Sequence, residues 1–170
     1  DEMRGKQAVL TTAAGEIVID LLPDHAPNHV GLFMKTAREG GLTGTIFHRV
    51  VRQGVVQGGD PLTKDPATRA KAGTGGLNLV AREGLTEKHT RGAVSAVIVP
   101  GRRDSGGTQF FICIVDQPSL DGQHTVFGRV SEGLRVAQRI SEGAADDKGV
   151  PVEPVTVTTV VIRDKPAEVP

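Results

Sequence analysis

Arg49, Gln57, Gln109 and His124 are the polar residues whose types and spacing could do chemistry in this sequence. Arg49 lies in Phe47-His48-Arg49-Val50-Val51 and Gln57 in Val55-Val56-Gln57-Gly58, two β-branched runs separated by the turn signal Gln53-Gly54. That pattern predicts a hairpin over Phe47–Asp60. Strand alternation puts Phe47 and Arg49 on one face and His48 and Val50 on the other, with Val55 and Gln57 forming a similar pair on the second strand. Gln109 and Phe111 share a face of a strand predicted over Thr108–Val115, setting an amide beside an aromatic ring. His124 follows Leu120-Asp121-Gly122-Gln123, a turn that could aim it over a neighbouring strand. A guanidinium and amides carried on strands are held more rigidly than on loops, which suits a preorganised polar site. The same residues also describe an exposed arginine, an edge glutamine and a histidine satisfied by its surroundings.

Other chemistries have weaker support. A Ser-His-Asp hydrolase could draw on Ser105 or Ser119 with Asp121 and His124, but no Gly-x-Ser-x-Gly elbow is present. The five histidines show no zinc-ligand spacing and the single cysteine adds nothing to them, so no metal site is expected. Gly73-Thr74-Gly75-Gly76 lacks the Gly-Lys-Ser/Thr ending of a phosphate loop and reads as a turn lying close to a ligand or another strand. Cys113, inside an apolar run, reads as a small buried filler that cannot form an internal disulfide.

Those candidates need elements to position them. Ala8–Thr12 and Glu16–Leu22 form a hairpin at Ala14-Gly15. Pro27 opens a helix with an apolar stripe at Val30, Phe33, Met34 and Ala37, stopped by Gly40-Gly41. Asp65-Pro66 caps a short helix through Lys71. Ala93–Val99, Thr108–Val115, Thr125–Val130 and Val155–Arg163 read as further strands, and Leu134, Val136, Ala137 and Ile140 as a second helix closed by Gly143. Many short strands with two substantial helices predict a mainly β fold, a closed antiparallel barrel whose closure hides its edges. The 170 residues suit one domain over 1–170, with a core of about 8–163 and tails at 1–7 and 164–170.

Twenty basic and twenty acidic residues balance to zero net charge, and Trp and Tyr are absent. Nucleic-acid binding is therefore not expected. No apolar run reaches membrane-spanning length, so no membrane insertion is expected. The first residue is Asp1, which leaves open a cytoplasmic location or, after removal of a signal peptide, a periplasmic or secreted one. Spacing alone ends at a β-rich domain with an arginine–glutamine–aromatic face.

At these residues the sequence resembles the cyclophilins, the peptidyl-prolyl cis-trans isomerases, in their bacterial-like form. The matching stretches are Phe47-His48-Arg49-Val50, Gln57-Gly58-Gly59-Asp60, Gly73-Thr74-Gly75-Gly76, Lys88-His89-Thr90, Gly107-Thr108-Gln109-Phe110-Phe111-Ile112 and Leu120 to Gly128. They come in the family's order, from about Val9 to Ile162. The resemblance implies an eight-stranded barrel capped by two helices, with the site on its outer face. It implies Arg49 as the catalytic arginine, and Phe47, Gly54, Val55, Gln57, Gln109, Phe111, Ser119, Leu120 and His124 as substrate-binding positions. No cofactor or metal is implied, and the expected partners are proline-containing peptides or unfolded proteins bound by a monomer. Gly54 and Val55 stand where the family usually has Phe and Met, and Ser119 where many members have Trp. The stretches 98–105 and 61–72 are longer than in common members. Those departures imply a thinned proline pocket, weak cyclosporin binding and, as the alternative function, a proline-peptide-binding module with little activity.

Overall fold

The N-terminal hairpin shows why the chain becomes a sheet: Ala8, Leu10, Ile17, Ile19 and Leu21 alternate onto one face and enter the core together. The computed structural model describes residues 2–167, so the tail expected at 164–170 lies partly outside it. In chain order the elements are β1 (Lys6–Thr12), β2 (Gly15–Leu21), α1 (Pro27–Arg38), β3 (Arg49–Val51), β4 (Val55–Gly58), β5 (Ala93–Ala96), β6 (Phe110–Cys113), β7 (Val126–Glu132), α2 (Leu134–Ser141) and β8 (Val157–Asp164). Short 3-10 turns at Pro61–Thr63 and Pro66–Lys71 occupy the segment after β4, the second capped by Asp65 as the sequence predicts.

All strand pairs are antiparallel, in one eight-stranded sheet of order β3-β4-β6-β5-β7-β2-β1-β8. The closed barrel expected from the sequence is corrected here to a curled half-barrel, because the two edge strands, β3 and β8, do not pair. β3 has only three residues, and the amide of Val50 on its open edge is taken by the carbonyl of Gly149 at 2.8 Å. The seam is stitched instead before each edge strand, by a single bridge between Ile46 and Thr156 and by Phe47 N–H donating to Val155 O at 3.0 Å. A covering loop thus does for this edge what closure would have done.

Two helices cover the core. Pro27 starts α1 as expected, and its buried face, Val30, Phe33, Met34 and Ala37, sets the Phe33 ring 6.0 Å from Phe110 and 5.4 Å from Phe127. α2 begins after Gly133 at φ +86°, where a Cβ would overlap the Glu16 carbonyl. α1 packs on β7 and β8, α2 on β2, β3 and β4.

Two strands are shorter than the sequence predicts, both for side-chain reasons. Val97 N–H still donates to Gln109 O at 3.1 Å, but beyond it side chains take over: the Ile98 amide lies 3.2 Å from His124 Nδ1 and Val99 N–H donates to Ser105 Oγ at 2.7 Å. Before Phe110, Thr108 turns to the glycine loop, its N–H donating to Gly76 O at 2.8 Å and its hydroxyl to Gly59 O at 2.8 Å. Phe47 also departs from expectation. It precedes β3, is fully buried and lies edge-on to Phe110 at 6.2 Å, so it does not share a face with Arg49.

Candidate active site

Cross-strand pairing aligns the candidate residues in one row. Arg49 stands opposite Gln57, Gln57 opposite Phe111, and Phe111 opposite Ser95, across β3, β4, β6 and β5. Directly paired residues share a sheet face. The interleaved Val50, Val56, Ile112 and Val94 belong to the core, so the row faces outward. A second row on that outer face runs Val51, Val55, Cys113. There Val55, Phe111, Cys113, Ala93 and Val126 make a small apolar cluster flanked by Leu22, Val97 and Leu120. Arg49 is exposed, and among the described residues its guanidinium has no hydrogen-bond or ion-pair partner.

A chain of hydrogen bonds fixes the amide end of the row. Gln57 Nε2 donates to Gln109 Oε1 at 3.1 Å, and Gln109 Nε2 donates to Gly75 O at 2.8 Å. The Gly75 loop is held in turn by buried Asp60, whose carboxylate accepts from the amides of Leu62 at 2.8 Å, Gly73 at 2.7 Å and Gly75 at 3.1 Å. A Cβ at Gly75 would overlap that carboxylate, and one at Gly76 would overlap the Thr108 hydroxyl. The glycine stretch is therefore a close-approach loop against a strand, as its lack of a phosphate-loop ending suggested. Arg49 and Gln57 line a cavity of about 460 Å³ with His48, Arg69, Gly73, Lys148 and Val150, one wall of which comes from the 61–72 segment.

Histidines flank the ring at the centre of the row. His89 stacks on Phe111 at 5.9 Å, and His124 meets it edge-on at 5.4 Å. His89 Nδ1 pairs with Asp121 Oδ1 at 3.0 Å, and its Nε2 with Ser95 Oγ at 2.8 Å. Burial holds both imidazoles below the usual histidine range; for His89 the Asp121 carboxylate opposes that shift, and for His124 the hydrogen bond to Ala96 does. Both rings are therefore neutral at pH 7. His124 Nδ1 lies 3.2 Å from the Ile98 amide and 3.3 Å from Ala96 O, accepting from the first in one tautomer and donating to the second in the other.

Residues 8–162 match the family described as Cyclophilin type peptidyl-prolyl cis-trans isomerase/CLD. The chain is 41% identical over 141 residues to a peptidyl-prolyl cis-trans isomerase of Helicobacter pylori, covering 80% of each protein. It is 36% identical over 163 residues to peptidyl-prolyl cis-trans isomerase 9 of Schizosaccharomyces pombe, of which it spans 25%. This chain is a cyclophilin. Its fold is that of the cyclophilin type isomerase of Cryptosporidium parvum crystallised in the presence of the dipeptide Ala-Pro, with a TM-score of 0.82, 23% identity, and coverage of 93% of this chain and 99% of the other.

Within this cyclophilin the structure brings Arg49, Gln57, Phe111, Val55, Leu120 and His124 to one face. Gln109 is fully buried and acts on that face through Gln57. Phe47 has no exposed surface to offer a ligand. Ser119 is exposed on the turn before Leu120, and its carbonyl accepts from Gln123 Nε2 at 3.1 Å. Gly54 is buried in the β3–β4 turn, and a Cβ there would meet Val51 Cγ1 at 2.9 Å. Val51, 42% exposed and opposite Val55, therefore fills space that a side chain at 54 would take. Sequence reasoning missed Val51, although alternation from Arg49 puts it on the same face. It also missed Asp60 and the His89 relay. The hydrolase alternative is not assembled: Asp121 bonds His89 rather than His124, and Ser105 Oγ donates to Arg102 O. Ser95, the serine that His89 does meet, is fully buried.

Proposed function

We propose that this cyclophilin accelerates rotation about Xaa-Pro peptide bonds, with Arg49 stabilising the twisted transition state. A peptide bond resists rotation by roughly 18–20 kcal/mol because the nitrogen lone pair is delocalised into the carbonyl. Rotation localises that lone pair on the prolyl nitrogen. A guanidinium donor aimed there binds the twisted state more strongly than either planar isomer, and that difference is catalysis. Gln57, anchored by Gln109, holds the substrate backbone, while Phe111, Val55, Val51 and Leu120 contact the proline ring. His124 lies at the rim, its ring edge-on to Phe111. No bond is made or broken apart from hydrogen bonds, so the chemistry calls for no nucleophile.

The observation that carries this reading is the register of Arg49, Gln57 and Phe111 in one outward row, with the guanidinium exposed and uncommitted. A proline-binding module with little turnover is the competing reading, favoured by the missing side chain at Gly54 and the exposed Ser119. A protease-free isomerisation assay on a short Xaa-Pro peptide separates the two. Rate enhancement proportional to protein concentration supports the enzyme, and binding without enhancement supports the module.

A further inference from the structure

A cavity of about 350 Å³ adjoins the proline face, lined by Arg82, Ile98, Val99, Pro100, Gly101, Arg102, Arg103, Gln123 and His124. It shares His124 with that face, and the His124 ring stands 5.4 Å from Phe111. Its walls carry three arginines and no acidic residue, in a chain whose net charge is zero. This is a local concentration of positive charge.

The arginines are held together by backbone. Arg82 N–H donates to Arg103 O at 2.9 Å, tying the two segments side by side. The turn bearing Arg102 is braced by buried Ser105, whose hydroxyl donates to Arg102 O at 2.6 Å and accepts from Val99 N–H at 2.7 Å. Nearby carboxylates do not neutralise the group. Glu83 is committed to α1, accepting from the His29 amide at 2.8 Å and from Asn28 Nδ2 at 3.1 Å. Asp104 follows Arg103 but does not line the cavity. Among the described residues the guanidinium groups of Arg102 and Arg103 have no partner, and that of Arg82 has only a 3.5 Å contact with Gln123 O. Like charges gathered around a concavity repel one another and attract an anion, and planar guanidinium groups suit carboxylate and phosphoryl oxygens.

We propose that this cavity is a subsite for an acidic side chain, carboxylate or phosphoryl, carried within a few residues of the substrate proline. The preference rests on the proline-site reading above and adds a substrate class to it: proline segments flanked by Asp, Glu or a phosphorylated residue. Ile98, Val99 and Pro100 give the methylene stem of such a side chain an apolar surface, while the arginines take its head.

The test is a set of short proline peptides in which Ala is replaced by Glu or by phosphoserine at each of the two positions on either side of the proline. Dissociation constants are measured by NMR titration at low and high salt, with isomerisation rates taken on the same samples. One position should give a Glu peptide that binds about three- to tenfold tighter than its Ala counterpart, the scale of a few exposed ion pairs, and a phosphoserine peptide that binds tighter still. The gain should shrink at about 1 M salt. Arg102→Ala/Arg103→Ala should bring the Glu-to-Ala ratio close to one, and Arg102→Glu/Arg103→Glu should invert it in favour of Lys peptides, each with an unchanged melting temperature. Equal affinity for Ala, Glu and phosphoserine peptides at every position overturns the subsite, as does a preference that survives charge reversal. Binding with the expected preference but no rate enhancement overturns the isomerase reading alone, and binding of none of the peptides overturns both.

Discussion

The two sides of the Phe111 ring are built differently. Toward Gln57 the site is a hydrogen-bonded frame in which Asp60 fixes the Gly75 loop, that loop fixes Gln109, and Gln109 fixes Gln57. Toward the β3–β4 turn it is a thin apolar wall of Val51, Val55 and Leu120, with Gly54 contributing no side chain. A group held by directional bonds to a rigid loop keeps its geometry to within tenths of an ångström, whereas affinity for an apolar ring scales with the area covered. Orientation is thus strongly specified here and proline affinity weakly so. Substrates should be held loosely but turned correctly.

Substitutions can break that contrast from either side. The largest effect belongs to Arg49→Ala, expected to lower kcat/KM by on the order of 10²–10³, the loss typical of one transition-state donor. Its melting temperature should stay put, because the side chain is exposed and anchors nothing. On the frame, Gln109→Ala strands the Gly75 carbonyl and frees Gln57. Turnover should fall roughly tenfold, and urea titration should show a loss of about 1–3 kcal/mol from the buried unsatisfied group. On the wall, Val51→Ala should raise KM about fivefold, about 1 kcal/mol of apolar contact, with kcat little changed. Gly54→Phe should tighten peptide binding only when combined with Val51→Ala, since Val51 stands in the path of the new side chain. A tighter Gly54→Phe single variant would show that Val51 is no part of the wall.

Two smaller effects come from buried titratable groups. His48, His89 and His124 all have pKa values lowered, chiefly by burial. The unfolded chain therefore binds more protons than the folded one in the window just below the ordinary histidine pKa of about 6.5. Stability is highest above that value and is lost as pH falls through it toward the depressed folded values. Thermal melts should drop between about pH 7 and pH 5, and a His124→Gln variant should drop less. Cys113 is buried, its thiol pushed up to about 12 by desolvation. Thiol reagents should leave turnover unchanged in the folded protein, a result checked by mass spectrometry beside the assay.

Much of the outward-facing row was legible in the sequence because strand patterning is local. Arg49, Gln57 and Phe111 lie on strands whose period-two pattern announces their faces, and Asp65-Pro66 announces its own cap. What the sequence hid are the long-range connections. Phe47 was misassigned a face because β3 begins two residues later than the β-branched run suggests, a boundary set by pairing with Val155 across the seam. A closed barrel over-reads the strand count, which does not reveal that β3 and β8 stay unpaired or that Gly149 takes the open edge of three-residue β3. His89 and Ser95 lie six residues apart in the chain, yet the bond between them becomes visible only once β5 turns Ser95 outward beneath Phe111.

The central claim is that the guanidinium of Arg49 drives rotation and does more than hold the peptide. It is tested most directly by NMR exchange between the cis and trans resonances of one Xaa-Pro peptide, measured with wild type and Arg49→Ala at matched occupancy. Wild type should transfer magnetisation between the two isomers far faster than free peptide, while Arg49→Ala binds within a few-fold of wild type and leaves exchange near the uncatalysed rate. Equal exchange enhancement by both proteins, or binding by wild type with no enhancement, would contradict the claim.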